Sequence, residues 1–253
     1  MKEFKKDLLL VKQYDNRTLM GEGAAKDISK TIKELLEKKA ELNIIFAAAP
    51  SQNDVLLSLI NDKTIAWNRI NAFHMDEYLG LSKEAPQGFG NFLKEHIFSL
   101  VPFKSINYLD CEATDIEADC QRYSKLLKEN PVDIVCMGIG ENGHIAFNDP
   151  HVADFNDSVL VKKVDLDDVC RMQQVHDGCF ATLDDVPKYA LTLTVPALTA
   201  GKYQFCVVPA ATKANAVKNT VNGEINEKCP ATILRTLENA ILYCDNDSGA
   251  LIK

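Results

Sequence analysis

The sequence predicts an α/β protein in which a mostly parallel β-sheet carries helices on both faces, and three observations lead there. Short apolar runs alternate with amphipathic stretches of helical period from Leu8 to Cys244. Runs such as Val132-Asp-Ile-Val-Cys-Met137 are apolar at almost every position, as strands buried on both faces are. No repeat, low-complexity tract or Pro/Gly/Ser linker interrupts the 253 residues, so one domain spanning 1–253 is expected.

The elements follow in order. After an apolar start at Leu8 to Val11, Ala25, Ile28, Ile32, Leu35 and Leu36 recur at helical spacing within Gly23 to Lys39. Leu42 to Ala49 is a strand-like run ending at Pro50, and Asn53 to Ile60 resumes a helical pattern. Arg69 to Met75 predicts a strand, Gly88 to Leu100 a helix, Ile106 to Leu109 a strand and Ile116 to Lys128 a helix. The run Val132 to Met137 is stopped by Gly138 and Gly140. Ala190 to Val195 and Tyr203 to Val208 give two more strands, helix patterns start at Lys213 and Ala231, and Ala240 to Cys244 is the last strand.

Composition narrows the partners. With 46% hydrophobic residues the chain can fill a substantial core, and a net charge of −8 provides no general basic field for nucleic acid or an anionic membrane. An anionic ligand must therefore be held locally. The eight cysteines form no C-x-x-C pair and mostly sit in apolar runs, so they read as buried free thiols in a reducing compartment. The N-terminus lacks the apolar core of a signal peptide, and no apolar run approaches the roughly 20 residues of a membrane span. A soluble, cytoplasmic protein is expected, and a homo-oligomer is compatible with it.

Three segments each begin where a strand ends, and in parallel sheets ligands bind beyond the carboxyl ends of strands. Ala48-Ala-Pro-Ser-Gln-Asn53 offers Ser51, Gln52, Asn53 and the amides of a helix N-terminus to an anion. His74-Met-Asp-Glu-Tyr78 places acids where partial desolvation tunes a carboxylate toward proton abstraction. Gly138-Ile-Gly-Glu-Asn-Gly-His-Ile-Ala-Phe-Asn-Asp-Pro150 surrounds His144 with glycines, among them Gly143, that let backbone approach a ligand. Glu141, Asn142 and Asp149 are all near enough in sequence to orient the imidazole, which suits proton shuttling near neutrality. Lys213 opens a helix after a strand and Arg171 lies in a polar stretch; both are candidate phosphate ligands. No zinc-like Cys/His spacing is present, so no metal is implied.

In three motifs the chain resembles the glucosamine-6-phosphate deaminase (isomerase) family, which shares its fold with the 6-phosphogluconolactonases. They are Phe73-His-Met-Asp-Glu-Tyr-Leu-Gly-Leu81, the Gly138 to Pro150 segment, and Val186-Pro-Lys-Tyr-Ala-Leu-Thr192. The run His144-Ile-Ala-Phe-Asn-Asp-Pro150 resembles the deaminase form rather than the Ser-Leu-Phe-Pro type of the lactonases. The resemblance implies a Rossmann-like fold of the deaminase/isomerase type and conversion of glucosamine 6-phosphate or galactosamine 6-phosphate and water to a keto-hexose 6-phosphate and ammonia, without an organic cofactor. By position, His144 opens the pyranose ring, Asp76 moves the proton from C2 to C1, and Asp149 is the carboxylate paired with the histidine. Ser51, Gln52, Asn53, Lys213 and Arg171 fall in the phosphate-binding regions. Asn142 stands where the family carries aspartate and Asp149 where it carries glutamate, which marks a divergent branch. A sugar-phosphate lactonase and a non-catalytic sugar-phosphate binder are the alternatives.

Overall fold

In a computed structural model describing residues 1–252, the chain opens with an antiparallel hairpin, β1 (Lys2–Lys6) and β2 (Leu9–Gln13). The Asn16 side chain then accepts the Leu19 N–H and caps α1 (Arg17–Leu36), which buries Met20, Ala24, Ile28 and Ile32 along one face. β3 (Leu42–Phe46), α2 (Asn53–Asn61), β4 (Ile70–His74) and the short β5 (Asp76–Tyr78) follow. α3 (Phe89–Leu93) widens into a π turn over Lys94–Phe98 and leads to β6 (Ser105–Asn107), α4 (Ile116–Glu129) and β7 (Ile134–Met137). The remainder comprises β8 (Val161–Asp165), α5 (Asp168–His176), β9 (Tyr189–Leu193), α6 (Val195–Thr199), β10 (Tyr203–Val208), α7 (Ala214–Asn222) and β11 (Ala240–Cys244).

The main sheet runs β1-β2-β11-β10-β7-β3-β4-β6, with every pair from β2 to β6 parallel and only β1 antiparallel. Strand alternation sends Ile44, Phe46, Ile134 and Cys136 into a core with α1 and α2 on one face. Ile45, Val135 and Met137 enter a second core with α4 and α7 on the other. From β3 the chain builds outward through β4 and β6, then returns to place β7 on the other side of β3 and continues to β10 and β11. The C-terminal ends of β3 and β7 therefore flank the point where strand order reverses, where such sheets open a crevice.

Several elements differ from the expectations. α1 starts at Arg17 rather than Gly23, because the cap is Asn16. Ala190 to Val195 does not join the main sheet: β9 is the centre of a separate antiparallel sheet, β5-β9-β8. Asp76 and Glu77 lie in a strand of that sheet, paired with Thr192 and Leu191. The helix expected from Ala231 is a run of 3-10 turns over Pro230–Thr236, and β1, β8, α5 and α6 have no counterpart among the expected elements. All eight cysteines are free thiols, six buried and Cys111 and Cys179 half-buried.

Candidate active site

The cleft at the β3/β7 reversal is lined by Ser51 and Gln52 after β3, Asp76 after β4, Gly138, Gly140 and His144 after β7, Lys213 after β10, and Gln173 and Gln174 of α5. Its cavity volume is about 60 Å³. A separate groove of about 500 Å³ lies on the Glu77 side of β5 and includes none of these residues.

Asp76 reaches the cleft because β5 alternates faces. Its neighbour Glu77 points the other way and accepts the N–H groups of Tyr78 (2.8 Å), Phe89 (3.0 Å) and Gly90 (2.8 Å). Asp76 has no such donors among the described residues. Its Oδ1 is buried without a hydrogen-bond partner, and burial first, then the nearby charge of Glu77, pushes its carboxyl well above the ordinary range.

The His144 loop is built on tight backbone. Gly143 takes a left-handed conformation with φ of 88°, which a Cβ would strain, and its N–H donates to the Gly140 carbonyl at 2.9 Å. The imidazole lies directly over Gly140, where a Cβ would occupy the ring's place. Farther along, Phe147 N–H donates to Thr192 Oγ1 (3.1 Å), and Asn148 Nδ2 donates to the carbonyls of Ile145 and Leu193 (2.9 Å each). The Thr192 that anchors this loop is also the β-partner of Asp76, so β9 sets both groups in one frame.

His144 Nδ1 is 2.8 Å from Asn142 Oδ1 and 2.9 Å from Asp149 Oδ1, which identifies it as the protonated nitrogen and leaves Nε2 for a ligand. Asp149 is fully buried. Burial alone would raise its carboxyl, but the charge and hydrogen bond of His144, Asn142 Nδ2 (2.9 Å) and Asp167 N–H (3.3 Å) outweigh it and hold it low. Asn142 bridges the pair, accepting from His144 N–H and donating to Asp149 and Asp167. Glu141 turns away toward His176 (3.3 Å).

Cys170 completes a cluster with His144 and Asp149 in which one ligand atom of each lies within 4.8 Å of the others. Burial and the neighbouring carboxylates of Asp149 and Asp167 push that thiol up, away from the thiolate a metal takes, and the histidine and carboxylate are already bonded to each other. The donor set fits a proton-transfer pair better than a metal centre.

Lys213 is 4% exposed and lines the cleft without an ion pair or hydrogen bond among the described residues. Desolvation lowers its ammonium, partly countered by the charges of Asp177 and Glu141.

Three expected ligands do not line the cleft. Asn53 is on the exposed side of the first turn of α2. The Gly143 carbonyl and N–H are both taken by protein partners, Ala231 and Gly140. Arg171 is buried, and its guanidinium is occupied by the carbonyls of Leu183 (2.7 Å) and Val186 (3.1 Å) and the Asp168 carboxylate (3.0 Å). Gln173 and Gln174, which do line the cleft, were not expected.

The family described as glucosamine-6-phosphate isomerases/6-phosphogluconolactonase matches residues 15–243. A glucosamine-6-phosphate deaminase of Listeria monocytogenes serotype 4a (strain HCC23) is 32% identical over 227 residues, 88% of this chain and 95% of that one. One from Lactobacillus delbrueckii subsp. bulgaricus (strain ATCC BAA-365 / Lb-18) is 31% identical over 234 residues, 90% and 97% of the two chains. Among solved structures, a monomeric glucosamine-6-phosphate deaminase aligns with a TM-score of 0.86 and 26% identity, covering 95% of this chain and 99% of that one. The 6-phosphogluconolactonase of Thermotoga maritima shares the fold, with a TM-score of 0.75, 20% identity and coverage of 94% and 99%.

Proposed function

Because the chain belongs to the family of glucosamine-6-phosphate isomerases and 6-phosphogluconolactonases, we propose that it is an enzyme converting an amino-sugar 6-phosphate and water to a keto-hexose 6-phosphate and ammonia. The observation that carries this reading is the Asp76 carboxylate. It is desolvated, has one oxygen without a partner, and shares the cleft with a histidine already fixed by its own carboxylate. Lactone hydrolysis has no use for such a second base. Abstraction of a proton next to a carbonyl does.

In the proposed sequence, His144 Nε2 moves a proton between the anomeric hydroxyl and the ring oxygen, opening the pyranose. Asp149 stabilises the imidazolium formed in passing. Asp76 takes the C2 proton of the open aldehyde while O1 takes a proton from the substrate's ammonium, giving an enolamine, and Asp76 then returns its proton to C1. The resulting C2 iminium adds water and expels ammonia, so one water enters for each ammonia released. Lys213 and Ser51 hold the phosphate. Residues 1–253 act as one domain in this scheme, and the eight free thiols fit a cytoplasmic setting.

The test is ammonia release from a panel containing glucosamine 6-phosphate and galactosamine 6-phosphate. Folded protein that releases none from either overturns the reading. In deuterium oxide, label at C1 of the ketose supports it over lactone hydrolysis.

A further inference from the structure

Helix α5 is registered on the histidine loop by three hydrogen bonds. Asp167 N–H donates to Asp149 Oδ2 (3.3 Å), Asn142 Nδ2 to Asp167 Oδ2 (3.2 Å), and Glu141 N–H to Gln173 Oε1 (2.8 Å). The helix itself is capped by Asp167 Oδ1 at Cys170 N–H, 2.6 Å away. That docking decides which side chains of α5 face the cleft. Arg171 is already occupied, and the Gln173 amide is held between Glu141 and Asp177.

Gln174 differs from both. It lines the cleft, is only 5% exposed, and among the described residues no protein group bonds its side-chain amide. The amide atoms themselves still open onto the cleft rather than being sealed in the protein, so they are free to bond a ligand that enters it. Its surroundings say which part of the ligand. Cys170, Gln174 and Asp177 follow at spacings of four and three and share one face of α5. Gln174 and Lys213 line the same cleft, so a phosphate that meets the ammonium there is within the space the amide also faces. Lys213 is also the one cation lining the cleft among the described residues.

We propose that Gln174 contacts the substrate, donating its amide N–H to a phosphate held by Lys213, so that one buried cation and one neutral donor replace a pair of cations. The assignment rests on the proposed function only in requiring a phosphorylated ligand. It makes the phosphate subsite weak by design and open to strengthening: a cation at 174 adds charge where the protein has none, and an anion there opposes the ligand directly.

The test uses the full chain and inorganic phosphate as probe, read by calorimetry, with Gln174→Met, Gln174→Glu and Gln174→Arg beside Lys213→Met. Loss of a hydrogen bond to a charged group corresponds to about a tenfold or greater loss of affinity. Phosphate binding is expected to weaken about tenfold in Gln174→Met, weaken further in Gln174→Glu and tighten in Gln174→Arg. With sugar phosphate, the change in KM should exceed any change in kcat. Melting curves and circular dichroism verify that each variant is folded. Equal phosphate affinity in folded Gln174→Met and wild type overturns the assignment, as does an equal response to Glu and Arg. If Lys213→Met also leaves phosphate binding unchanged, the subsite as a whole is misplaced. Absence of ammonia release by the wild type refutes the proposed reaction and leaves this binding experiment decisive on its own.

Discussion

Replacing Asp76 by asparagine should nearly abolish turnover and at the same time stabilise the protein. A positioned base contributes on the order of 10²- to 10⁴-fold in rate, and an amide cannot accept the C2 proton. The stability effect follows from linkage. Burial, with Glu77's charge adding to it, raises the Asp76 pKa in the folded state, so the native protein binds this proton more tightly than the unfolded chain. The contribution is therefore fully present below the unfolded pKa of about 3.9 and is lost as pH rises through the folded value. Asparagine carries no charge to bury and escapes that loss, while its amide leaves the orphaned position no worse paired than a protonated carboxyl does. Each unit of pKa elevation is worth about 1.4 kcal/mol, and for a domain of this size 1 kcal/mol moves Tm by about 2–4 °C. Thermal melts of both proteins at pH 4, 5.5 and 7.5 should show no gap at pH 4 and a higher Tm for Asp76→Asn that widens with pH. An unchanged or lower Tm at pH 7.5 refutes the claim that this carboxylate is held against its desolvation. Turnover within tenfold of wild type, measured by ammonia release, refutes its role as the base.

The remaining predictions concern its neighbours. Asn142→Asp, which restores the residue type of the resembled family, should cost about 1–3 kcal/mol in denaturant titrations at pH 7.5. It replaces two donated hydrogen bonds with a third acid beside Asp149 and Asp167. Gly140→Ala should lower kcat/KM by at least about a hundredfold with the fold retained by circular dichroism, because the new Cβ occupies the place of the His144 ring. Arg171→Met should lower stability by about 2 kcal/mol or more through the orphaned carbonyls of Leu183 and Val186, and raise KM for sugar phosphate little. Lys213→Met should do the reverse, raising KM at least about tenfold without loss of Tm, since it removes a buried ammonium that has no partner among the described residues. A comparable rise in KM for both variants contradicts the placement of Arg171 outside the cleft.

What the sequence made legible is the set of groups that sit just past strand ends. Ser51, Gln52, Asp76, His144 and Lys213 each follow an apolar run, and parallel topology carries such positions to one edge of the sheet. What stayed hidden follows from inverted or absent patterning. α5 exposes Val169 (52%) and Met172 (36%) while burying Arg171, Gln173 and Gln174, so a search for an apolar stripe misses the helix that walls the cleft. β1 is a charged edge strand in which Phe4 is the one apolar residue. Asn53 and Arg171 had the right chemistry in the right segment, but Asn53 falls on the exposed side of α2, and the Arg171 guanidinium is drawn off by Asp168 and the carbonyls of Leu183 and Val186, partners that the sequence does not announce.

Two buried charges of the cleft suit it to chemistry on an amino-sugar phosphate. Asp76 and Lys213 are both buried and, among the described residues, unpaired, and burial shifts each toward its neutral form, the acid upward and the ammonium downward. Paired with each other they would form a salt bridge and satisfy both; instead each is left for a ligand. The proposed substrate carries an amine at C2 and a phosphate at C6, complementary to the carboxylate and the ammonium respectively. Binding therefore restores charge at both ends, with Lys213 gaining the proton that burial disfavours and Asp76 gaining a cationic neighbour that lowers its pKa. The ketose product keeps the phosphate and loses the amine. Asp76 then returns to an uncompensated burial while Lys213 does not, so deamination weakens the hold on one end of the sugar only. A site that kept Asp76 and Lys213 as a pair would bind neither end well, which is why their separation matters to function even though it costs stability.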